Sequence, residues 1–241
     1  MTTPLIPFPD GCRQGRLVRR EKRFSVLVDF EDGTQAWCHT NNSGSMLGML
    51  RPGNPVLVSP AANPNRKLKW TLELIRDKGI HDKGVWAGVN TLTPNRLLAA
   101  AHKVGQLAET RGYPDFKAEA KVGDSRLDAL LEGPQGKLYV EAKNVTLVED
   151  DTAFFPDAVT VRGQKHLKEL MRLGRAGVRV ACFYLAQRAD AQCFAPADFI
   201  DPEFARLLRK AMDEGVEVWP YRAEVGFKGI DLGPKLPLAD W

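Results

Sequence analysis

The stretch SRLDALLEGPQGKLYVEAKN, residues 125–144, narrows what this chain can fold into more than any other. Two runs of alternating character flank GPQG, so the segment reads as a β-hairpin with a four-residue loop. Glu132 then opposes Lys137. Leu131 faces Leu138, Ala129 faces Val140 and Leu127 faces Ala142, all apolar pairs. On the other face Asp128 lies across from Glu141, and Lys143 shares that face because side chains alternate with period two. Upstream, Gly123-Asp124 suits a two-residue turn with Gly first. It sets Phe116 against Leu131, Ala118 against Ala129 and Ala120 against Leu127, and it adds Glu119 opposite Asp128. Glu119, Asp128 and Glu141 are thus predicted to form one row across three strands.

Like charges facing each other across strands repel. A row of carboxylates suits a divalent cation, which takes oxygen ligands and completes its shell with water and substrate phosphate. Mg²⁺ or Mn²⁺ is therefore the expected cofactor, with Asp128, Glu141 and Glu119 as ligands. Lys143 stands where it can orient a water and offset charge growing on a phosphate. The bland alternative is a solvated sheet face on which Lys117, Lys121 and Lys143 balance the acids. Asp115-Phe-Lys117 and Glu119-Ala-Lys121 share the same acid-x-Lys spacing, but only Glu141 pairs with an upstream Asp on an adjacent strand.

The rest of the chain falls into two regimes. Residues 13–76 read as short strands separated by Gly, Pro and Asn: RLVRREKRFSVLVDF with its alternation Phe24, Val26, Val28, Phe30, then TQAWCHT, PVLVSP and NPNRKLKWTLELI. That spacing predicts a small all-β barrel with no long helix. The Gly- and charge-rich segment 77–88 marks a boundary, which places units at 1–84 and 85–241. Beyond it, TPNRLLAAAHKVGQLAETRG predicts a helix with Thr93 as N-cap, Pro94 in the first turn and Gly112 past the end. Three strands follow, then a helix with Leu167, Leu170, Met171 and Gly174 on one stripe. The buried strand VRVACFYL, a helix capped by Asp201 and a last strand VEVWPY complete the order.

Composition adds a partner class. Residues 1–84 carry 13 Lys and Arg against 8 Asp and Glu, so the positive charge sits in the barrel. Arg19 and Arg20 belong to one basic cluster, and Arg66, Lys67 and Lys69 with Trp70 to another; together they can follow a phosphate backbone. A solvated charged surface is the alternative. Trp37 and Trp70 fit barrel core as well as base-stacking roles. His39, His81 and His102 stand alone and are read as structural, whereas His166 is read as a surface or phosphate-contacting residue. The acidic loop Glu149, Asp150, Asp151 is expected to face solvent, and Phe154 and Phe155 to pack or to cap the site. Cys12, Cys38, Cys182 and Cys193 have neither CxxC nor zinc spacing, so reduced thiols are expected. No apolar run reaches the length of a membrane span, and no signal block opens the chain, so a cytoplasmic protein is expected. A homo-oligomer is compatible with these features, but the sequence carries no signal for it.

An Asp on one strand and Glu-x-Lys on the next resembles the PD-(D/E)xK nuclease superfamily. More narrowly, the chain resembles the sugar fermentation stimulation protein family, through NNSGSMLGML, NPNRKLKWTLELI, GVNTLTPNRL, GDSRLDALL, VEAKNVTL and FPDAVTVRGQKHLKEL, which together cover nearly its whole length. The resemblance implies an OB-like barrel followed by a restriction-endonuclease-like α/β domain. It also implies non-specific DNA binding and a link to regulation of sugar metabolism, maltose in particular. On it, Asp128, Glu141 and Lys143 take the nuclease-motif positions, Glu119 is the extra acid, and Gln164 and Lys165 lie near the phosphate. Ala129 and Ala142 stand where the family is expected to carry Phe and Val, both on the core side. Two functions follow as expectations. One is a Mg²⁺-dependent DNA phosphodiesterase; the other is a DNA-binding regulator that does not cut.

Overall fold

A computed structural model of the chain describes residues 3–77, 84–123 and 125–241. His81 and Asp124 lie outside the described residues. The barrel strands are β2 (Arg13–Glu21), β3 (Ser25–Phe30), β4 (Gln35–His39), β5 (Pro55–Pro60) and β6 (Trp70–Asp77), numbered after a short β1 (Ile6–Pro7). They pair in the order β4-β3-β2-β5-β6, and a parallel β4–β6 contact closes the ring. Closure leaves no edge in a small domain and wraps an apolar interior. Val26, Val28, Cys38, Val56, Val58 and Leu72 fill it, joined by Met46 and Met49 from the loop after β4. Phe24 departs from the expected alternation. It sits in the β2–β3 turn and is exposed, because the chain reverses there.

Two short pieces cross the expected boundary between units 1–84 and 85–241. β7 (Val85–Gly88) pairs with β6 and extends the barrel sheet. β1 pairs instead with the last strand of the other sheet.

The second sheet has seven strands in the order β1-β16-β15-β13-β10-β9-β8. Its members are β8 (Asp115–Val122), β9 (Ser125–Gly133), β10 (Gly136–Val145), β13 (Arg179–Ala186), β15 (Glu217–Gly226) and β16 (Gly229–Lys235). Between them, β11 (Leu147–Glu149), β12 (Thr152–Phe155) and β14 (Cys193–Pro196) form a small sheet of their own. β10 and β13 run parallel at the centre, as the nearly continuous apolar run of β13 requires. α1 (Thr93–Lys103) covers one face with Leu97, Leu98 and Ala101, against Ala129, Leu131, Val140 and Phe183. α2 (Val161–Arg175) and α3 (Pro202–Asp213) cover the other, where Leu167, Leu170, Phe204 and Leu208 meet Val145, Cys182 and Tyr184. Each such fully buried side chain contributes about 1.5–3 kcal/mol of transfer free energy.

Helix ends follow local chemistry. Thr160 Oγ1 accepts the Gly163 N–H of α2 at 3.1 Å, and Asp201 Oδ1 accepts the Phe204 N–H of α3 at 2.9 Å. α1 starts after Leu92 without a side-chain cap, so Thr93 is its first residue rather than its N-cap. It stops at Lys103, well before Gly112, because Gly105 takes φ of 72° and turns the chain out of the helix. All four cysteines are free, and burial pushes the Cys38 and Cys182 thiols up to about 12. Among the described residues no helix is long and apolar enough to cross a membrane.

Candidate active site

The β9–β10 hairpin has the register its loop length dictates. Lys137 pairs with Glu132, Leu138 with Leu131, and Val140 with Ala129. The β8–β9 turn likewise sets Phe116 against Leu131 and Ala120 against Leu127, with Val122 and Ser125 closing it. Both ladders break around Asp128. The β9–β10 pairing ends at Ala129, and the Glu119–Asp128 pair is missing from the β8–β9 ladder.

Glu119 is the reason. It adopts φ of 55°, a left-handed conformation uncommon for a residue with a side chain. That twist breaks the period-two alternation. Ala129 and Leu131 face α1, whereas Leu127 and Val122 have crossed to the core under α2. Leu127 therefore does not face Ala142 as expected. Glu119 points into solvent and pairs with Arg126 at 3.1 Å, its side chain 69% exposed. The expected three-carboxylate row is two carboxylates.

Asp128 and Glu141 remain. Where the ladder stops, Asp128 Oδ2 accepts the Ala142 N–H at 2.8 Å, and Oδ1 accepts Asn95 Nδ2 of α1 at 2.7 Å. Glu141 is buried, 2% exposed. Its Oε1 accepts Lys143 Nζ at 2.5 Å and is hydrogen-bonded to His166 Nδ1 of α2. Lys143 Nζ lies 3.4 Å from the same His166 nitrogen. Glu141 and Lys143 share the α2 face of β10, as alternation predicts.

The two acids are pushed apart in proton affinity, a pattern that separates roles in paired carboxylates. Burial, then the Glu141 charge, raise Asp128 above its ordinary value, against the pull of Lys143, Ala142 and Asn95. Burial also pushes Glu141 up, but Lys143 and His166 outweigh it and leave the carboxyl below its ordinary value.

Glu141 Oε2 is buried and has no hydrogen-bond partner. A buried carboxylate oxygen left bare costs about 1–3 kcal/mol or more, and such an atom calls for an ion or water in the functional state. The Glu141 charge is felt at Asp128, so the donor set fits a hard divalent cation that takes one or two carboxylates and completes its shell with water and phosphate. Among the described residues no group of three His, Cys, Asp or Glu side chains is arranged to hold a metal ion.

The remaining expected residues divide. Arg19, Lys67 and Lys165 are exposed. Lys69 is exposed too, with Nζ donating to Pro64 O at 2.5 Å. Arg20 instead ties down the barrel's own loops, donating to Arg23 O at 2.7 Å and to Asn42 O and Gly44 O at 2.9 Å. Arg66 does the same for residues 66–71, through Leu68 O, Trp70 O and Thr71 Oγ1. Gln164 Nε2 donates to the Asp201 cap of α3 at 3.0 Å. These three side chains are engaged internally because unpaired carbonyls and a helix cap lie within their reach.

Two residues of the cluster escape the sequence reading. Asn95 left no signal beyond its place in the first turn of α1. His166 did leave one: it stands four residues before Leu170, on the buried stripe of α2, which is where the structure places it rather than on the surface.

Comparison with known proteins agrees with this architecture. A family model described as "SfsA N-terminal OB domain" matches residues 18–89. One described as "Sugar fermentation stimulation protein RE domain" matches residues 92–229. The "Sugar fermentation stimulation protein homolog" of Maridesulfovibrio salexigens is 54% identical over 242 residues, 99% of each chain. Its counterpart in Syntrophobacter fumaroxidans is 56% identical over 232 residues, 96% of this chain and 87% of that one. A solved structure of Pyrococcus furiosus SfsA in complex with Ca²⁺ superposes with a TM-score of 0.89 at 28% identity, covering 99% of this chain and 100% of that one. The N-terminal unit is an OB-type closed barrel of five strands, and the C-terminal unit has the restriction-endonuclease-like fold.

Proposed function

The chain belongs to the sugar fermentation stimulation protein family, and from that premise we propose that it is a divalent-metal-dependent DNA phosphodiesterase centred on Asp128, Glu141 and Lys143. The observation that carries the reading is the bare, buried Glu141 Oε2, on a carboxylate whose charge is felt at Asp128, with an ammonium group 2.5 Å from the same carboxylate's other oxygen. The Ca²⁺ complex of the Pyrococcus furiosus relative supports a hard divalent cation; Mg²⁺ or Mn²⁺ is the cofactor proposed here. Asp128 and Glu141 hold the cation. The chemistry such a cation would supply there is charge neutralisation at a phosphate and activation of a water.

The chain's own side chains have separate tasks. Asn95 and the Ala142 N–H fix both oxygens of Asp128, so its carboxylate meets a ligand without reorganising. His166 fixes Glu141 from the helix side. Lys143 presents its positive charge where a phosphate would accumulate negative charge. Glu119 takes no part in this arrangement. DNA is held by the exposed members of the basic set, Arg19, Lys67 and Lys69 on the barrel and Lys165 on α2, with Arg20, Arg66 and Gln164 supporting the surfaces that present them.

Plasmid nicking with Mg²⁺ or Mn²⁺, run beside a binding assay, tests this. Nicking that disappears with EDTA and with Lys143→Ala is the expected result. Binding without nicking under both metals, on single and double strands, overturns it in favour of a DNA-binding regulator of sugar-metabolism genes, maltose genes among them.

A further inference from the structure

We infer that the outer face of β3 and β4 is a stacking platform for single-stranded nucleic acid, with Trp37 and the Phe24–His39 pair as its base-binding rings. The inference rests on the DNA reading above and names the strand form that the barrel takes.

The strand registers place the rings. Arg19 pairs with Leu27 and Leu27 with Trp37, so these three form one row across β2, β3 and β4. Their neighbours Val26, Val28 and Cys38 point inward and are fully buried. Trp37 is therefore on the outside of the barrel, half-buried, and not in its core. The Arg19 guanidinium carbon lies 5.3 Å from the Trp37 ring centroid, and Arg19 also pairs with Glu21 at 3.4 Å.

The next outward row is Ser25 with His39. Phe24 stacks on His39 with ring centroids 6.2 Å apart and planes inclined by 29°. Phe24 remains 46% exposed, and the Arg23 guanidinium lies 5.9 Å from its ring. Burial, then the Arg66 charge, hold the His39 imidazole below its ordinary value. Trp37 and His39 are two residues apart on one strand, roughly 7 Å. Two aromatic faces thus stand side by side, each within reach of its own base.

Positive charge flanks the rings on both sides. The β2–β3 turn contributes Lys22 and Arg23, both exposed. The β5–β6 loop contributes exposed Lys67 and Lys69. Arg66 anchors that loop to Thr71, which is the residue paired with His39 across the barrel closure. A strand face plus the loops after the first and fourth barrel strands is where five-stranded barrels of this kind take oligonucleotides. Only unpaired bases offer free ring faces, so aromatic stacking selects single strands, while the flanking charges follow the backbone of either form.

The test is fluorescence anisotropy with the full chain in EDTA, using a labelled oligothymidylate and a blunt duplex. Trp37→Ala and Phe24→Ala are each expected to weaken oligothymidylate binding by about 5- to 100-fold and to leave duplex binding within about twofold. Trp37→Phe keeps the affinity and loses part of the tryptophan quenching on binding. Phe24 is an exposed turn residue, so Phe24→Ala carries the test if Trp37→Ala does not fold. Unchanged oligothymidylate affinity in Phe24→Ala and Trp37→Ala overturns the platform, and so does an equal loss on the duplex. Neither result bears on metal-dependent nicking by the unmodified chain. Conversely, a selective loss on single strands together with a wild-type chain that never nicks keeps the platform and removes the phosphodiesterase.

Discussion

Two charged regions of this molecule use charge in opposite ways. In the β10 cluster, buried Glu141 and His166 and partly buried Lys143 contact each other, with side chains 3%, 7% and 16% exposed. On the barrel, Arg19 and Glu21 are loosely paired, 3.4 Å apart with more than half of each side chain exposed. A buried pair costs desolvation that its own attraction must repay, and breaking it strands a charge. An exposed pair contributes about 0–1 kcal/mol and is screened by salt. On the function proposed above, the difference separates a region suited to preorganised chemistry from one suited to reversible attraction to a polyanion.

The sharpest way to break that comparison is at Lys143. Removing a preorganised charge at a reacting centre costs about 10²–10³-fold in rate. Lys143→Ala should lower nicking by that factor in a time-resolved plasmid assay while DNA affinity holds; a comparable loss of affinity would make the lysine a binding residue like those on the barrel.

Within the barrel, Arg66 and Lys67 are adjacent and expected to behave differently. Arg66→Ala strands three hydrogen-bonding partners, and hydrogen bonds to a charged group are each worth about 1.5–3 kcal/mol. A loss of about 2 kcal/mol or more in denaturant unfolding is expected. Lys67→Ala should stay within about 0.5 kcal/mol of the parent chain. Equal effects at the two positions would erase the distinction between internal and presented charge.

A smaller effect concerns acid and metal together. Glu141 is held below its ordinary value of 4.5, so its stabilising contribution is present above that pH and is lost as pH falls through its folded-state value. Asp128 is raised above 3.8, so its contribution is full below that pH and is lost as pH rises through its folded-state value. On the proposed function, a divalent cation at Asp128 would offset the cost that burial and the Glu141 charge set on its ionised form. Thermal melts across pH should show a Mg²⁺ stabilisation near zero in acid that grows toward neutrality, to about 1.4 kcal/mol at tenfold excess over Kd. A shift independent of pH would place the cation elsewhere.

The smallest expected change is electrostatic. Lys67→Ala should reduce the slope of log K against log salt by about one, uniformly over DNA sequences. An unchanged slope would remove Lys67 from the phosphate track, and the same titration at Lys69 would locate the track instead.

Much of the site was legible because strand pairing is local. Short turns set both registers (the β9–β10 turn tightens to Pro134-Gln135 in the same register that a four-residue loop predicts), and period two put Glu141 and Lys143 on one face. The expected pairing of Asp128 with Glu141 is not in the ladder, which stops at Ala129, and Asp128 instead accepts the Ala142 N–H. The barrel, the cap at Asp201 and the stripe of α2 were legible from short-range patterns as well. The last strand β16, the small sheet of β11, β12 and β14, and the return of β1 were not, since each is held by partners far along the chain.

What sequence alone determined, then, is which residues must be neighbours along a hairpin. What only tertiary structure decided is which of them stay together. The left-handed turn at Glu119 moved an expected ligand into solvent, and the docking of α1 and α2 brought Asn95 onto Asp128 and His166 onto Glu141. The same holds on the barrel, where loop carbonyls took Arg20 and Arg66 inward and left Arg19 and Lys67 outside. Alternation and turn length act over a few residues and survive any context. Backbone inversion, helix docking and the capture of a long side chain by a distant carbonyl depend on packing between elements, and that is settled only when the whole fold closes.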